Sequence, residues 1–314
     1  MAFLRLIRFK NLFIVAFLQV LLRYGLLLPI LHHYNIEPVL STWRFIMLVI
    51  TTLSLAASGY VINDYFDLKI DRINRPDKIV VGEVFPRRTV LLWHVVFTLI
   101  GVFTGLYLAY VLRKENYALM FIIIPALLWY YSTTLKKQLL VGNLTISFLT
   151  ALVAYFVVSV EFAALAKVHG PAVLQSSACS TAWFWTSGFA FFAFISTMAR
   201  EIIKDMEDLE GDRALGCSTL PIEMGITMSG WVVVAINILS LVVLWSVYFM
   251  VPALRESRIA LFYFLFLLSI PYLILSLGVV KATNKSSFHR MSQMSKVIML
   301  IGIMFIFVVK SFFV

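Results

Sequence analysis

Residues 43–62 read WRFIMLVITTLSLAASGYVI, and residues 63–78 continue as NDYFDLKIDRINRPDK. The first run holds one basic residue and no acidic one, over the length of about 20 residues that crosses a bilayer as a helix. The second run turns abruptly polar and places three aspartates within eight positions. The same change recurs further on, where the apolar run 180–203 gives way to the acidic run 201–213. Hydropathy along the chain marks nine apolar segments, near 12–34, 43–62, 89–112, 117–134, 141–165, 180–203, 229–251, 258–280 and 296–313. Of the 314 residues 61% are hydrophobic and 13% charged, whereas a soluble domain has about 25% charged residues. That excludes an ordinary cytosolic enzyme, a secreted disulfide scaffold and a disordered chain. The expected fold is an all-α, polytopic membrane bundle of nine transmembrane helices, two four-helix halves plus one, forming a single membrane-embedded domain over residues 1–314.

The net charge of +10 comes from basic residues in short stretches between the apolar runs, without the aromatic-interleaved stripe of a nucleic-acid surface. Placing the N-terminus inside collects 18 of the 26 Lys and Arg on the cytoplasmic side, from Arg5 through Lys296. Six lie opposite, namely Arg113, Lys114, Lys167, Arg255, Arg258 and Lys310, while Arg23 and Arg44 lie in or at the edge of helices. This positive-inside bias predicts an integral membrane protein with a cytoplasmic N-terminus. The basic start leads into an apolar run too long for a signal-peptide core, so a retained first helix is expected. Cys179 and Cys217 then fall on opposite faces and form no disulfide.

Twelve of the sixteen acidic residues lie in two windows, 63–83 and 201–223, both cytoplasmic by that count. Asp64, Asp67 and Asp71 stand at i, i+3 and i+7, so a helix gathers them on one face beside Asn63. Asp205, Asp208 and Asp212 repeat the spacing, and Glu201 extends their face by one turn. Stacked carboxylates repel unless a cation sits among them. A hard divalent ion suits oxygen ligands, and Mg²⁺ prefers one or two carboxylates plus substrate phosphate oxygens. Two such stripes on one membrane face can flank a shared diphosphate site. Acidic helix ends are often only solvated, but the identical spacing of two clusters argues against that here. A cation-coupled transporter is the non-enzyme alternative, since ionisable groups in bundles also mark ion paths. Pro76 stops the first acidic helix and leaves Arg75 and Lys78 beside the stripe.

After the fourth segment comes Tyr130-Tyr131-Ser132-Thr133-Thr134-Leu135-Lys136-Lys137, then Gly142-Asn143. The lysines alone read as membrane anchors, and their position on the face of both stripes adds the option of a phosphate contact. Arg8-x-x-Asn11 is placed similarly, where Asn11 alone reads as a helix cap. Gln19 and Arg23, one turn apart in the first helix, are costly in lipid and should face the bundle interior. His32, His33, His94, His169 and His289 show no metal-ligand spacing and read as structural or interfacial.

With Asn63-Asp64-x-x-Asp67-x-x-x-Asp71, Asn74-Arg75-Pro76, Asp205-x-x-Asp208-x-x-x-Asp212 and Tyr131-Ser132-x-x-Leu135-Lys136, the chain resembles the UbiA superfamily of intramembrane prenyltransferases. The resemblance covers the whole chain and implies transfer of a polyprenyl group from its diphosphate, with Mg²⁺ held by Asp64, Asp67, Asp71, Asp205, Asp208 and Asp212. Candidate substrate-binding residues are Asn11, Asn63, Arg75, Lys78, Tyr131, Lys136, Asn143, Arg200 and Lys204. The run from Arg200 to Asp208 and the Asn-Arg-Pro-Asp sequence are most similar to the geranylgeranylglycerol-phosphate geranylgeranyltransferase branch. That implies a geranylgeranyl donor and a lipid acceptor. Many relatives follow Asn-Arg-Pro with a basic-Pro-Ile-Pro-Ser-Gly run, whereas Asp77-Lys78-Ile79-Val80-Val81-Gly82 stands here. An aromatic acceptor, 4-hydroxybenzoate or a quinone precursor, therefore stays open. In the implied chemistry Tyr60, Tyr65, Tyr130, Tyr131 or Tyr155 turns a ring face to the allylic cation. The loops 63–88 and 204–228 then form a cap over a cytoplasmic site.

Overall fold

The computed structural model describes residues 1–313, and for Lys78 the backbone alone. Among the described residues nine helices are long and apolar enough to cross a membrane: α1 (Phe9–His33), α2 (Thr42–Phe66), α3 (Arg87–Leu112), α4 (Glu115–Thr133), α5 (Val141–His169), α6 (Ser177–Glu207), α7 (Gly225–Met250), α8 (Arg258–Lys281) and α9 (Lys285–Lys310). The expected bundle of nine helices is thus present. Large apolar side chains such as Leu92, Phe103, Phe148, Phe249 and Leu277 point outward, more than half exposed. That is the surface of a protein whose solvent is lipid.

Segment 296–313 corresponds to a helix that begins eleven residues earlier, at Lys285. Its first turns, Lys285-Ser-Ser-Phe-His-Arg-Met-Ser-Gln-Met-Ser-Lys296, are polar on most sides and escape a hydropathy window. Asn284 caps this start by accepting from the Ser287 N–H at 2.9 Å. The expected caps 63–88 and 204–228 are largely helical rather than loop-like. They hold short helices at Leu68–Asn74, Pro76–Lys78, Leu209–Ala214 and Leu220–Glu223.

The chain forms two compact units, Met1–Lys136 with Val153–Phe184, and Lys137–Leu152 with the chain from Trp185 onward. In the first, α2 packs on α3 and α4. Small residues permit the close approach: a Cβ on Gly101 would meet Leu55 at 2.6 Å, and one on Gly105 would meet Phe121 at 2.6 Å. Gln19 and Arg23 are buried, as expected. Thr52 donates to Gln19 Oε1 at 2.9 Å. Arg23 pairs with Glu161 of α5 at 3.2 Å and also bonds the Leu40 carbonyl. Glu161 in turn accepts the Val39 and Leu40 N–H groups at 2.8 and 3.0 Å. This buried cluster fixes the α1–α2 connection and compensates each charge it takes out of water. In the second unit α7 packs on α8. Met198, Ile202, Ile203, Leu220, Val233, Leu275, Val279 and Phe288 share one buried cluster there.

Candidate active site

The first acidic motif spans the end of α2. The helix breaks at Asp67, whose backbone at φ −80°, ψ 0° both closes α2 and opens Leu68–Asn74. The hydrogen-bond ladder nevertheless runs through, with Asp67 N–H to Asn63 O at 2.9 Å and Asp71 N–H to Asp67 O at 2.8 Å. The i, i+3, i+7 stripe therefore survives the break. Asn74 ends the helix, Arg75 follows at φ −147°, and Pro76 starts a single 3₁₀ turn, as the sequence requires.

Partners reach this stripe from elsewhere in the same unit. Lys136, just past α4, forms an ion pair with Asp67 Oδ1 and lies 3.4 Å from Asn63 Oδ1. Asn63 Nδ2 donates to the other Asp67 oxygen at 2.7 Å. Arg8 pairs with Asp64 at 2.9 Å, and its guanidinium lies 5.0 Å from the Tyr60 ring centroid. Sequence reasoning paired Arg8 with Asn11 and left it out of the site; the three-residue spacing was the available signal. Burial, then the charges of Asp67 and Asp64, lift the Asp71 carboxyl to about 6 against the pull of Arg75 and Arg8. All three aspartates thus feel one another. Asn11 and Tyr131 are half-buried near the ends of α1 and α4. The expected role of Lys78 falls on a side chain outside those described.

Of the tyrosines offered to an allylic cation, Tyr60 faces Arg8, and Tyr65 faces Arg87 at 4.5 Å. Tyr155 meets the edge of Trp183, 5.3 Å between centroids. Tyr130 is more than half exposed, whereas Tyr131 is half-buried.

The second motif repeats the break. α6 ends at Glu207, Asp208 takes φ −97°, ψ 9°, and the next helix, Leu209–Ala214, begins. Here too the ladder continues, with Asp208 N–H to Lys204 O at 2.8 Å and Asp212 N–H to Asp208 O at 3.2 Å. Asp205 accepts from Asn143 Nδ2 at 2.7 Å. Glu201 receives Arg200 at 2.8 Å and Lys204 at 2.9 Å. His289 of α9 meets Glu207 at 2.9 Å, a contact that no motif predicted.

Among the described residues no three His, Cys, Asp or Glu side chains converge as a closed metal cage. Asp64, Asp67 and Asp205 are each held by an amide or a cation. This donor set suits an ion that keeps waters and takes oxygens from a phosphate, as Mg²⁺ does. It does not suit a fully protein-caged metal.

The UbiA prenyltransferase family profile matches residues 26–306. The digeranylgeranylglyceryl phosphate synthase of Methanothermobacter thermautotrophicus is 32% identical over 270 residues, covering 82% of this chain and 83% of that one. The solved structure of a digeranylgeranylglyceryl phosphate synthase aligns over 98% of this chain and 96% of that chain, with a TM-score of 0.60 at 21% identity. A UbiA homologue from Archaeoglobus fulgidus, bound to GPP and Mg²⁺, aligns over 98% of this chain and all of that one, at a TM-score of 0.54 and 16% identity. Two acidic motifs with the same helix break, on nine membrane-length helices and with this match over most of the chain, place the protein in the UbiA prenyltransferase family.

Proposed function

We propose that the chain moves a geranylgeranyl group from its diphosphate to the free hydroxyl of geranylgeranylglyceryl phosphate, with Mg²⁺ as cofactor. The allylic C–O bond to diphosphate breaks with its electron pair on diphosphate. A new ether C–O bond forms, and the hydroxyl proton is lost. The observation that carries this reading is the constellation of Asp67, Asn63 and Lys136: a carboxylate, an amide and an ammonium gathered from two helices. The name of the Methanothermobacter relative and the GPP and Mg²⁺ of the Archaeoglobus homologue support it.

Asp64, Asp67 and Asp71 would hold Mg²⁺, and so would Asp205, Asp208 and Asp212. When bound, Mg²⁺ neutralises diphosphate charge and so makes the allylic bond easier to ionise. Lys136, Arg75, Lys78, Arg200 and Lys204 supply charge-assisted donors to phosphate oxygens. Asn63 and Asn143 fix the carboxylates they touch, Asn11 adds an amide at the start of α1, and Tyr131 turns a ring toward the carbocation. The apolar helices keep water from that cation. Residues 1–314 act as one prenyltransferase domain, with the N-terminus and both motifs on the cytoplasmic side.

Purified protein in detergent, given labelled geranylgeranyl diphosphate with geranylgeranylglyceryl phosphate and 4-hydroxybenzoate side by side, should prenylate the lipid and stop on addition of EDTA. Exclusive use of the aromatic would overturn the acceptor, and indifference to EDTA the metal. For orientation, a membrane-impermeant thiol reagent should label Lys114→Cys in intact cells and Glu83→Cys only after lysis.

A further inference from the structure

Beyond the second acidic motif runs Ser218-Thr219-Leu220-Pro221. Thr219 occupies the N-cap place of Leu220–Glu223, with extended backbone at φ −76°, ψ 161°. A threonine there ordinarily accepts, through its hydroxyl, the N–H of the second or third helical residue. The second is Pro221, which has no N–H. The third, Ile222, gives its N–H to the Thr219 carbonyl at 3.0 Å. The hydroxyl therefore caps nothing. Thr219 is only 4% exposed, and its Oγ1 has no partner among the described residues. A buried hydroxyl without a partner is destabilising, and valine would fill the same space without that cost.

A second orphan belongs to the same unit. Arg200 gives one terminal nitrogen to Glu201, but its Nε–H is buried with no partner among the described residues. Leu220, beside Thr219, packs into the same buried cluster as Ala199, Ile202 and Ile203, which flank Arg200 on α6. The Ser218 N–H is tied to the Lys137 carbonyl at 2.7 Å. The loop carrying Thr219 thus shares a buried cluster with the residues of α6 on either side of Arg200. One of the two groups is a guanidinium N–H and the other a hydroxyl. A cation is repelled by the first, whereas an oxyanion accepts from both.

We infer that Thr219 is a substrate-binding residue, its hydroxyl donating together with the Arg200 Nε–H to a phosphate oxygen. The inference rests on the prenyl-transfer reading, in which both substrates carry phosphate: the donor as a diphosphate, the acceptor as a monoester. Thr219→Val removes the hydroxyl at constant shape, and Thr219→Ser keeps it. Initial rates are measured against each substrate with the other saturating. Thr219→Val should raise one KM about tenfold with kcat within about twofold, and Thr219→Ser should stay within about twofold of wild type. A shift in the donor KM assigns the contact to the diphosphate, and a shift in the acceptor KM to the monoester. The Tm of Thr219→Val should equal or exceed that of wild type, which separates lost binding from lost folding. Wild-type KM values for both substrates in Thr219→Val would overturn the assignment, as would a serine variant as impaired as the valine one. If the wild-type chain fails to prenylate the glyceryl phosphate at all, the functional reading falls by itself. Calorimetry with inorganic phosphate and pyrophosphate then still decides on Thr219: weaker binding of either by the valine variant sustains its role, and unchanged affinity for both ends it.

Discussion

The two acidic motifs share the spacing Asp-x-x-Asp-x-x-x-Asp and a helix break at the middle aspartate, yet different groups meet their carboxylates. In the first, two cations from distant parts of the unit sit on aspartates: Arg8 on Asp64 and Lys136 on Asp67. In the second, Asp205 is met by the neutral amide of Asn143, while Arg200 and Lys204 both converge on Glu201. A cation on a carboxylate competes with a metal for the same oxygen, whereas an amide dipole aligns the carboxylate and leaves its charge in place. In the first motif a competing cation therefore sits on Asp64 and on Asp67, whereas Asp205 of the second is met by a neutral amide. Identical spacing does not imply identical metal affinity.

The comparison breaks at once if either motif is only a solvated helix end. Asp67→Asn and Asp208→Asn should each cut product formation by about a hundredfold or more, the scale of losing preorganised charge at a reacting group. A variant of either motif that keeps wild-type turnover would remove that motif from the chemistry. Next in size is Lys136→Met. Loss of a charge-assisted donor to phosphate should lower kcat/KM for the prenyl diphosphate by about 10- to 100-fold. Lys136→Arg should recover part of that, since the charge returns with a different reach. Unchanged kcat/KM in Lys136→Met would demote Lys136 to a membrane anchor.

On the second motif, Asn143→Leu strips Asp205 of its amide. Leaving a buried polar group without its partner costs about 1–3 kcal/mol, so prenyl transfer should fall about tenfold and Tm should drop measurably. The loss should lie in turnover at saturating Mg²⁺, because the amide orients the carboxylate without occupying the metal's place. Rescue of full activity by raising Mg²⁺ alone would show that Asn143 serves metal affinity instead, and the contrast with the first motif would narrow.

What could be read from the sequence follows from how local each signal is. Apolar runs of membrane length and the three-aspartate spacing are local, and both motifs and the buried Gln19 and Arg23 lie where they were expected. The break at Asp67 and Asp208 left no mark, because neither site holds Gly or Pro and the hydrogen-bond ladder passes straight through. The start of α9 was hidden by its own polarity, since hydropathy averaging discards a helix whose first turns are rich in Ser, Lys and Gln. Long-range pairs are the hardest. Arg8 finds Asp64 across 56 positions and Arg23 finds Glu161 across 138. No periodicity encodes such a partner; only the fold supplies it.

Arg8 gives the smallest and most specific test. It holds a left-handed backbone at φ 49°, a conformation rare outside glycine and asparagine, at the junction between the short helix Ala2–Leu6 and α1. Burial of Leu6 and packing of Phe3 against Trp93, 4.9 Å between centroids, hold that N-terminal turn on the unit. Arg8 and Asp64 are 32% and 21% exposed, so solvent screens their pairing to about 0.2–1 kcal/mol. If Arg8 stands in for a cation on Asp64, Arg8→Gln relieves the metal of a competitor worth that much. The Mg²⁺ concentration for half-maximal activity should then fall by a factor of about 1.4 to 5, with kcat at saturating Mg²⁺ little changed. A rise in the donor KM with no change in Mg²⁺ dependence would show instead that Arg8 binds phosphate and that its contact with Asp64 is incidental. The two motifs would then have to be distinguished by Lys136 alone.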